Sequence, residues 1–341
     1  MSLLKKLFFN LSSAVPFSWS NTLAGTPVLF PYHHVVSDDY LPHIRGLYNY
    51  KNKKQFLQDL EWLLKKYKPV HPNQIADAVV QQKPLPENSF LLSFDDGFRE
   101  VAEIVAPILL SKGIPALFFI NPSFIDNKEL FYRSKLSLVI EKLKEEKNKH
   151  LMNKIVEYLG FSSLDNNQLR TTILKINYPN RIKADELGSL AEISFEDFLS
   201  KNQPFLTTSQ VSQLHEQGFT IGSHSMDHPH YATIPLEDQI NQTLNSMQFV
   251  NQLVSPAYTF FSFPHEDQKV NQSFFNRVLD SDGKSKRILF GVQNQLEELN
   301  NNMLHRFNAE NPEISISQKL KSCLLYLAIS KTFNRSKILR D

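Results

Sequence analysis

The chain has few of the residues and runs that mark several protein classes. Its 341 residues include one cysteine, Cys323, so no intramolecular disulfide can form, although neither redox compartment is thereby excluded. The formal net charge is +2, with no basic stripe interleaved with aromatics, so nothing indicates a nucleic-acid partner. The hydrophobic share of 41% is that of an ordinary soluble protein, which predicts a packed core.

No apolar run approaches the ~20 residues of a membrane-spanning helix. At the N-terminus, Lys5 and Lys6 precede scattered leucines and phenylalanines, but the continuous apolar core of a signal peptide is lacking. We interpret residues 1–26 as an amphipathic segment that either lies on a membrane surface or packs against the rest of the protein. Residues 313–341 are predicted to be a C-terminal helix with the same two interpretations. A cytoplasmic or membrane-peripheral location is expected.

Strand-like and helical patterns alternate along the chain, which indicates a mainly parallel sheet curved into a barrel. The barrel is predicted to span residues 27–312, with an insertion of exposed helices at about 126–205. Strand-like runs are predicted at 27–32, 89–94, 115–121, 219–224, 257–263, 287–292 and 303–308. Helices are predicted at 53–67, 98–112 and 235–253.

Local signals refine two of the helices. Pro107 implies a kink or a break within 98–112, because proline lacks the backbone donor that a continuous helix needs. A further helix is predicted from about Thr208, where Thr207 and Gln210 form a capping box and Gly218 ends the helix.

Two adjacent carboxylates follow the second strand-like run, in the sequence SFDDG. Asp95 and Asp96 are predicted to lie on a strand-to-helix turn, and Gly97 permits the sharp change of direction. Adjacent side chains on such a turn point different ways, so one can bind a cation while the other handles a proton. Taken alone, the pair would more often be a solvated turn or a helix cap.

Two histidines follow the run at 219–224. If the chain makes one helical turn after His224, the i, i+4 spacing brings the rings of His224 and His228 onto one face. Imidazole pairs at this spacing suit zinc and similar divalent ions, and one carboxylate would complete a three-ligand site. The fourth position would be left for water.

At these residues the sequence resembles the polysaccharide deacetylase family, also called the NodB homology domain or carbohydrate esterase family 4. The first family motif is usually Thr-Phe-Asp-Asp-Gly, and Ser93 replaces the threonine here. The second is histidine, serine or threonine, two variable residues and histidine, matched by His224, Ser225 and His228. The resemblance covers about residues 27–125 and 205–310, and it implies a NodB-like α/β fold: a distorted (β/α) barrel of about seven strands.

The resemblance also implies the chemistry. Asp96, His224 and His228 would hold a divalent metal, with zinc expected, and Asp95 would be the general base. The expected reaction is hydrolysis of N-acetyl groups on amino sugars of a polysaccharide or oligosaccharide. The cation would polarise the acetamide carbonyl, Asp95 would take a proton from the metal-bound water as it attacks, and a general acid would protonate the departing amine.

Two later motifs depart from the family pattern. The third usually carries an arginine that steadies the base, but Ser262 stands at that position. The charge partner of Asp95 must then come from elsewhere, and Arg306 is the candidate. The final motif, leucine, a variable residue and histidine, is matched by chain order only at His305. His305 is the predicted general acid, with His265 as the second choice.

Other interpretations stay open at this point. The same metal site would serve an O-acetyl esterase or another amidohydrolase, because it recognises a carbonyl rather than a sugar. A carbohydrate-binding protein that has lost turnover is the third interpretation, motivated by the missing arginine and the uncertain acid. His33 and His34 follow the first strand-like run, and they either line the substrate groove or are hydrogen-bonded structural histidines.

Overall fold

The computed structural model describes residues 25–145, 149–279, 286–298, 300–333 and 335–340. The predicted amphipathic segment 1–26 lies outside the described residues except for its last two positions. Among the helices that the structure describes, none is both long enough and apolar enough to cross a lipid bilayer.

Ten of the thirteen described strands lie in the strand-like runs that the sequence predicts. Three lie outside those runs, at Lys68–Pro69, Glu297–Glu298 and Lys337–Ile338, and the last of them falls in the segment 313–341 that was predicted to be a helix. In chain order the strands are β1 (Val28–Leu29), β2 (Pro31–His33), β3 (Lys68–Pro69), β4 (Ser89–Phe90), β5 (Leu92–Phe94), β6 (Ala116–Ile120), β7 (Thr220–Ser223), β8 (Thr259–Ser262), β9 (Arg287–Gly291), β10 (Glu297–Glu298), β11 (Met303–His305), β12 (Phe307–Asn308) and β13 (Lys337–Ile338). A three-stranded sheet has the order β1-β4-β3, and β10 pairs with β13.

The principal sheet has eight strands in the order β11-β9-β8-β7-β6-β5-β2-β12, and every pair is parallel. The strands at its two edges, β11 and β12, are separated in the chain only by Arg306. The sheet is therefore nearly closed, and the predicted parallel barrel is confirmed. Its strand count is eight rather than about seven because one half of the run 303–308 pairs with β9 and the other half with β2.

The helices predicted at 53–67 and 235–253 and from about Thr208 are present, together with others that were not individually predicted. They are α1 (Pro42–Arg45), α2 (Lys53–Leu64), α3 (Pro72–Val80), α4 (Ala106–Ser111), α5 (Tyr132–Glu145), α6 (Lys149–Tyr158), α7 (Asn166–Leu174), α8 (Ile182–Leu190), α9 (Phe195–Asn202), α10 (Thr208–Glu216), α11 (Leu236–Val254), α12 (Gln272–Val278) and α13 (Ile316–Thr332). The capping box of Thr207 and Gln210 is present at α10. The break predicted at Pro107 is a change from a π-helix at Val101–Val105 to α4.

Five helices, α5 to α9, lie between β6 and β7 and form a helical lobe with its own apolar cluster. The lobe packs closely on α1, because Gly46 has no side chain to hold it away. A Cβ at Gly46 would lie 2.7 Å from the Ser137 hydroxyl oxygen, which instead accepts a hydrogen bond from the Gly46 N–H at 2.9 Å. The lobe thereby stands beside the carboxyl ends of the barrel strands.

Candidate metal centre and active site

The turn after β5 positions the two aspartates. The N–H of Asp95 still donates to the His33 carbonyl at 2.9 Å, as in the parallel ladder. The next two residues, Asp96 and Gly97, have φ of +73° and +65°. This left-handed pair reverses the chain direction at once, and aspartate tolerates the conformation better than most residues. The two carboxylates consequently leave the backbone in different directions, at the carboxyl end of the barrel.

The loop after β7 does not form the predicted helical turn. Ser225 and His228 have φ of +64° and +61°, which no right-handed helix contains. Side-chain hydrogen bonds hold the loop instead: the Asn121 side chain donates to the carbonyls of His224 and Ser225, and the Ser225 hydroxyl accepts from the His228 N–H at 3.1 Å. The rings still meet, with centroids of His224 and His228 4.8 Å apart.

Three buried side chains from these two loops converge. Asp96 Oδ1 lies 3.5 Å from His224 Nε2 and 3.2 Å from His228 Nε2, and one ligand atom from each residue lies within 4.8 Å of the others. His224 Nδ1 lies 2.8 Å from the Ser262 carbonyl oxygen and donates to it, so its Nε2 keeps a lone pair for a ligand bond. Asp96 Oδ1 is buried without a hydrogen-bond partner. This donor set fits a divalent cation such as zinc.

The protonation states agree with that fit. Burial lowers the pKa of His224 to about 4, so its imidazole is neutral near pH 7 and can bind a metal ion. Burial raises the pKa of Asp96, but the neighbouring histidines, His228 first among them, lower it by more. The pKa of Asp96 therefore lies below its usual value. Asp96 is therefore ionised, with one oxygen free to bind a cation.

Asp95 is held by Arg306, the residue that the sequence proposed as its charge partner. Arg306 Nη1 and Nη2 donate to Asp95 Oδ1 and Oδ2, both at 2.7 Å. Nη1 also donates to the Ser93 hydroxyl at 2.9 Å, and Nη2 donates to the Ser262 hydroxyl. Burial raises the pKa of Asp95, but the Arg306 guanidinium and the neighbouring histidines lower it by more than burial raises it. The net pKa of Asp95 is therefore below its ordinary value. The ring of Tyr32 faces the guanidinium at 4.5 Å.

The structure does not bring His305 to these groups. It precedes Arg306 directly, and successive side chains of an extended segment point to opposite sides. His305 Nε2 lies 3.4 Å from Glu298 Oε2, its Nδ1 lies 4.0 Å from Asp267 Oδ2, and its side chain is fully buried. Arg340 pairs with both of these carboxylates. The general-acid role expected for His305 therefore disagrees with its position, and the residue belongs to a buried ion network.

A cavity of about 320 Å³ opens beside the two aspartates, between the barrel and the helical lobe. Besides the metal-ligand candidates, its lining includes two further histidines, His34 and His265. The full set is Tyr32, His34, Leu47, Tyr48, Asp95, Asp96, Phe98, Phe131, Arg133, Ser134, His224, His228, Phe263, His265 and Val292. His33 instead stacks on Phe94 behind the site.

The two cavity histidines differ in charge. His34 Nδ1 lies 2.7 Å from Glu310 Oε2, and Glu310 Oε1 accepts the N–H groups of His34 and Val35 at 3.0 Å. Burial lowers the pKa of His34, but Glu310, together with the two aspartates, raises it to about 10. Burial lowers the pKa of His265 well below its ordinary value, and its Nε2 has no partner. His34 is therefore the protonated histidine and His265 the neutral one.

The sequence reasoning missed two supports of the site. Asn121, which holds the histidine loop, is the first residue after the wholly apolar strand β6, so its position at a strand end was a usable signal. Glu310, which charges His34, comes two residues after β12. No local pattern marks Glu310, because its partner lies 276 residues earlier in the chain.

Comparisons with known proteins identify relatives of this chain. The sequence profile of the family described as "Polysaccharide deacetylase" matches residues 82–277. Among solved structures, the Streptococcus pyogenes deacetylase PplD in complex with acetate is similar at 12% identity over 86% of this chain and 99% of that one, with a TM-score of 0.53. IcaB from Ammonifex degensii is similar at 13% identity over 88% and 97%, with a TM-score of 0.52. A search of curated sequences finds no significant match.

Proposed function

Since the chain belongs to the polysaccharide deacetylase family, hydrolases that act on carbon–nitrogen bonds, we propose that it removes N-acetyl groups from amino sugars of a glycan. The observation that carries the proposal is the convergence of Asp96, His224 and His228 beside an ionised Asp95 in one cavity. Similar solved structures include one described as a de-N-acetylase from Aggregatibacter actinomycetemcomitans, which supports the choice of an amide as substrate.

We assign the metal site to Asp96, His224 and His228, with zinc as the expected ion. The unpartnered oxygen of Asp96 and the free Nε2 of His224 are the atoms that support this assignment. A divalent cation, when bound there, supplies Lewis acidity towards an amide carbonyl and makes a water ligand more acidic. Three protein ligands leave room for such a ligand and for the substrate.

We assign the general base to Asp95. Its carboxylate lies 3.9 Å from His224 Nε2, so it faces the same space as the metal-ligand candidates. Arg306 binds both of its oxygens and fixes their orientation, and each oxygen keeps a further lone pair with which to accept a proton. The guanidinium also holds Asp95 ionised although it is buried, so the base is available at neutral pH.

We assign the general acid to His34 in place of His305. His34 lines the cavity and carries a proton near pH 7, because Glu310 raises its pKa to about 10. An imidazolium on this side of the cavity can protonate the amine as the carbon–nitrogen bond breaks, while Asp95 takes the proton of the attacking water. His34→Gln should accordingly lower kcat more than it raises KM.

The decisive experiment compares Asp95→Asn with wild type, both loaded with zinc, cobalt or nickel. Acetate release is measured from N-acetylglucosamine oligomers and from an O-acetylated glycan, and bound metal is quantified in each protein. We expect Asp95→Asn to keep its metal and lose at least ~100-fold in kcat, as for removal of a general base. Asp38→Asn, at an exposed aspartate that pairs with Lys53, is the matched control.

Three outcomes would contradict parts of the proposal. Unchanged activity in Asp95→Asn would remove Asp95 as the base. Release of acetate from the ester alone would favour an O-acetyl esterase on the same site. Tight binding of the oligomers by metal-loaded wild type, without product from any substrate tested, would indicate a carbohydrate-binding protein.

A further inference from the structure

A second cavity of about 410 Å³ lies between the helical lobe and the loop after β8. It shares three lining residues, Arg133, His265 and Val292, with the cavity that contains the two aspartates. The two spaces therefore adjoin at these three residues, and we call the second one the side cavity. Its volume is within the range of ligand sites, so it has room for a sugar residue adjoining the one in the first cavity.

The side cavity has an excess of positive charge. Arg133, in the first turn of α5, and Lys175, just after α7, both line it. Within the described ranges, no carboxylate lies at ion-pairing distance from either cation. The cavity also has one carboxylate, Glu266, but its Oε1 already lies 3.4 Å from His230 Nε2. Two cations thus face this space without an anionic partner.

Buried polar atoms beside Arg133 also lack partners. Ser134 is completely buried and lines the first cavity, and its hydroxyl makes no hydrogen bond to the described residues. His265 Nε2, at the junction of the two cavities, is likewise unpaired. Such atoms are costly to leave unsatisfied in a folded protein, and a ligand that spans the two cavities would supply the missing partners.

We propose that Arg133, assisted by Lys175, binds an anionic oxygen group, a uronate carboxylate or a phosphate, on the sugar next to the one that loses its acetyl group. The guanidinium presents paired donors that match two oxygens of a carboxylate or phosphate, and Lys175 adds a point charge at the exposed rim. Ser134 and His265 supply neutral hydrogen bonds to the sugars that span the junction. This proposal rests on the proposed function, and it makes the substrate an acidic glycan rather than a neutral one.

The test measures binding and turnover separately. Three tetrasaccharides are compared by calorimetry on the metal-loaded protein: fully N-acetylated chitotetraose, which is neutral, its 6-phosphate and the uronate-bearing hyaluronan tetrasaccharide. We expect wild type to bind at least one anionic tetrasaccharide about tenfold more tightly than chitotetraose at low salt, as one charge-assisted contact permits. The preference should weaken at about 500 mM salt, where such contacts are screened. The phosphate and uronate arms identify which anion is recognised.

Variants locate the effect. Arg133→Gln should abolish the preference for the anionic tetrasaccharides over the neutral one, whereas Arg277→Gln removes the same charge from the Glu237 surface pair and should retain that preference. Equal binding of all three tetrasaccharides by wild type, no binding of any of them, or a preference that survives in Arg133→Gln would overturn the proposal. Loss of acetate release alone, with the anionic preference intact, would count against the proposed function and leave the side cavity assignment standing.

Discussion

Arg306→Gln should strongly destabilise the barrel, because the pair that it breaks is buried on both sides. Arg306 and Asp95 expose 1% and 2% of their surface, and two hydrogen bonds of 2.7 Å join them. Removing one partner of a buried ion pair costs about 3–5 kcal/mol, since the other charge is left uncompensated. The free energy of unfolding at pH 7 should therefore fall by about 3–5 kcal/mol, as measured by urea denaturation.

The double variant separates the ion pair from other effects of the substitution. Asp95→Asn also leaves one buried charge, that of Arg306, whereas Arg306→Gln combined with Asp95→Asn leaves none. We therefore expect the double variant to lose less stability than the two single variants lose together. Strict additivity would mean that the two side chains act independently. Arg277→Gln again serves as the control, because its pair with Glu237 is exposed and should matter little.

The pH dependence follows from the direction of the pKa shift. The folded-state pKa of Asp95 is depressed, so the stability from the pair is fully present above the unfolded value of ~3.9 and is lost as pH falls through the folded value. In Arg306→Gln burial acts without the guanidinium, and the pKa of Asp95 rises. The acid limb of kcat/KM should move to higher pH. A stability loss below ~1 kcal/mol with an unmoved acid limb would refute this reasoning.

Three further predictions test the fold and the metal site. Lys51→Met should lower the free energy of unfolding by about 3–5 kcal/mol, because it leaves Asp59 buried without its cation. Thermal unfolding should show a lower Tm, and an unchanged Tm would contradict this. Gly222→Ala should cost about 1–3 kcal/mol, since its Cβ would lie 2.6 Å from the Phe119 ring, and a urea midpoint equal to wild type would contradict that packing. Removing metal with a chelator should abolish acetate release and lower the Tm, and zinc should restore both; activity that survives in metal-free protein would exclude the assigned centre.

The barrel could be predicted from sequence because its signals are local. Within the run at 115–121, residues 115–120 are all apolar, as expected of a strand buried on both faces, and β6 at Ala116–Ile120 is buried at every position. Thr207 and Gln210 mark the start of α10 by chemistry that operates within three residues. The closure of the sheet was harder to predict, since the pairing of β12 with β2 joins positions at opposite ends of the domain.

The conformation of the histidine loop could not be predicted from spacing. The i, i+4 interval of His224 and His228 suggested a helical turn, but two left-handed residues bring the rings together by another route. What stabilises this route is the side chain of Asn121, more than 100 residues away in sequence. Spacing therefore predicted which side chains meet. It did not predict the backbone conformation between them, because several conformations bring the two rings together.

The position of His305 was predictable in principle. His305 and Arg306 are adjacent on an extended segment, so only one of them can face the interior of the barrel. Once Arg306 is assigned to Asp95, His305 must point away, and it does so, towards Glu298 and Asp267. The two expectations excluded each other by the geometry of a strand. The acid proposed in its place, His34, directly follows β2 and lines the cavity.

The serine at position 262 and the arginine at position 306 are best explained together. Ser262 stands where the resemblance leads one to expect an arginine, and its hydroxyl accepts a hydrogen bond from the Arg306 guanidinium. A second guanidinium at position 262 would place two like charges beside one carboxylate, so the small residue and the relocated arginine require each other. Arg306 also fills the gap between β11 and β12, where the sheet closes. The charge that orients the proposed base thus lies at the point of barrel closure, and disturbing that closure should impair the base before it disturbs the metal ligands.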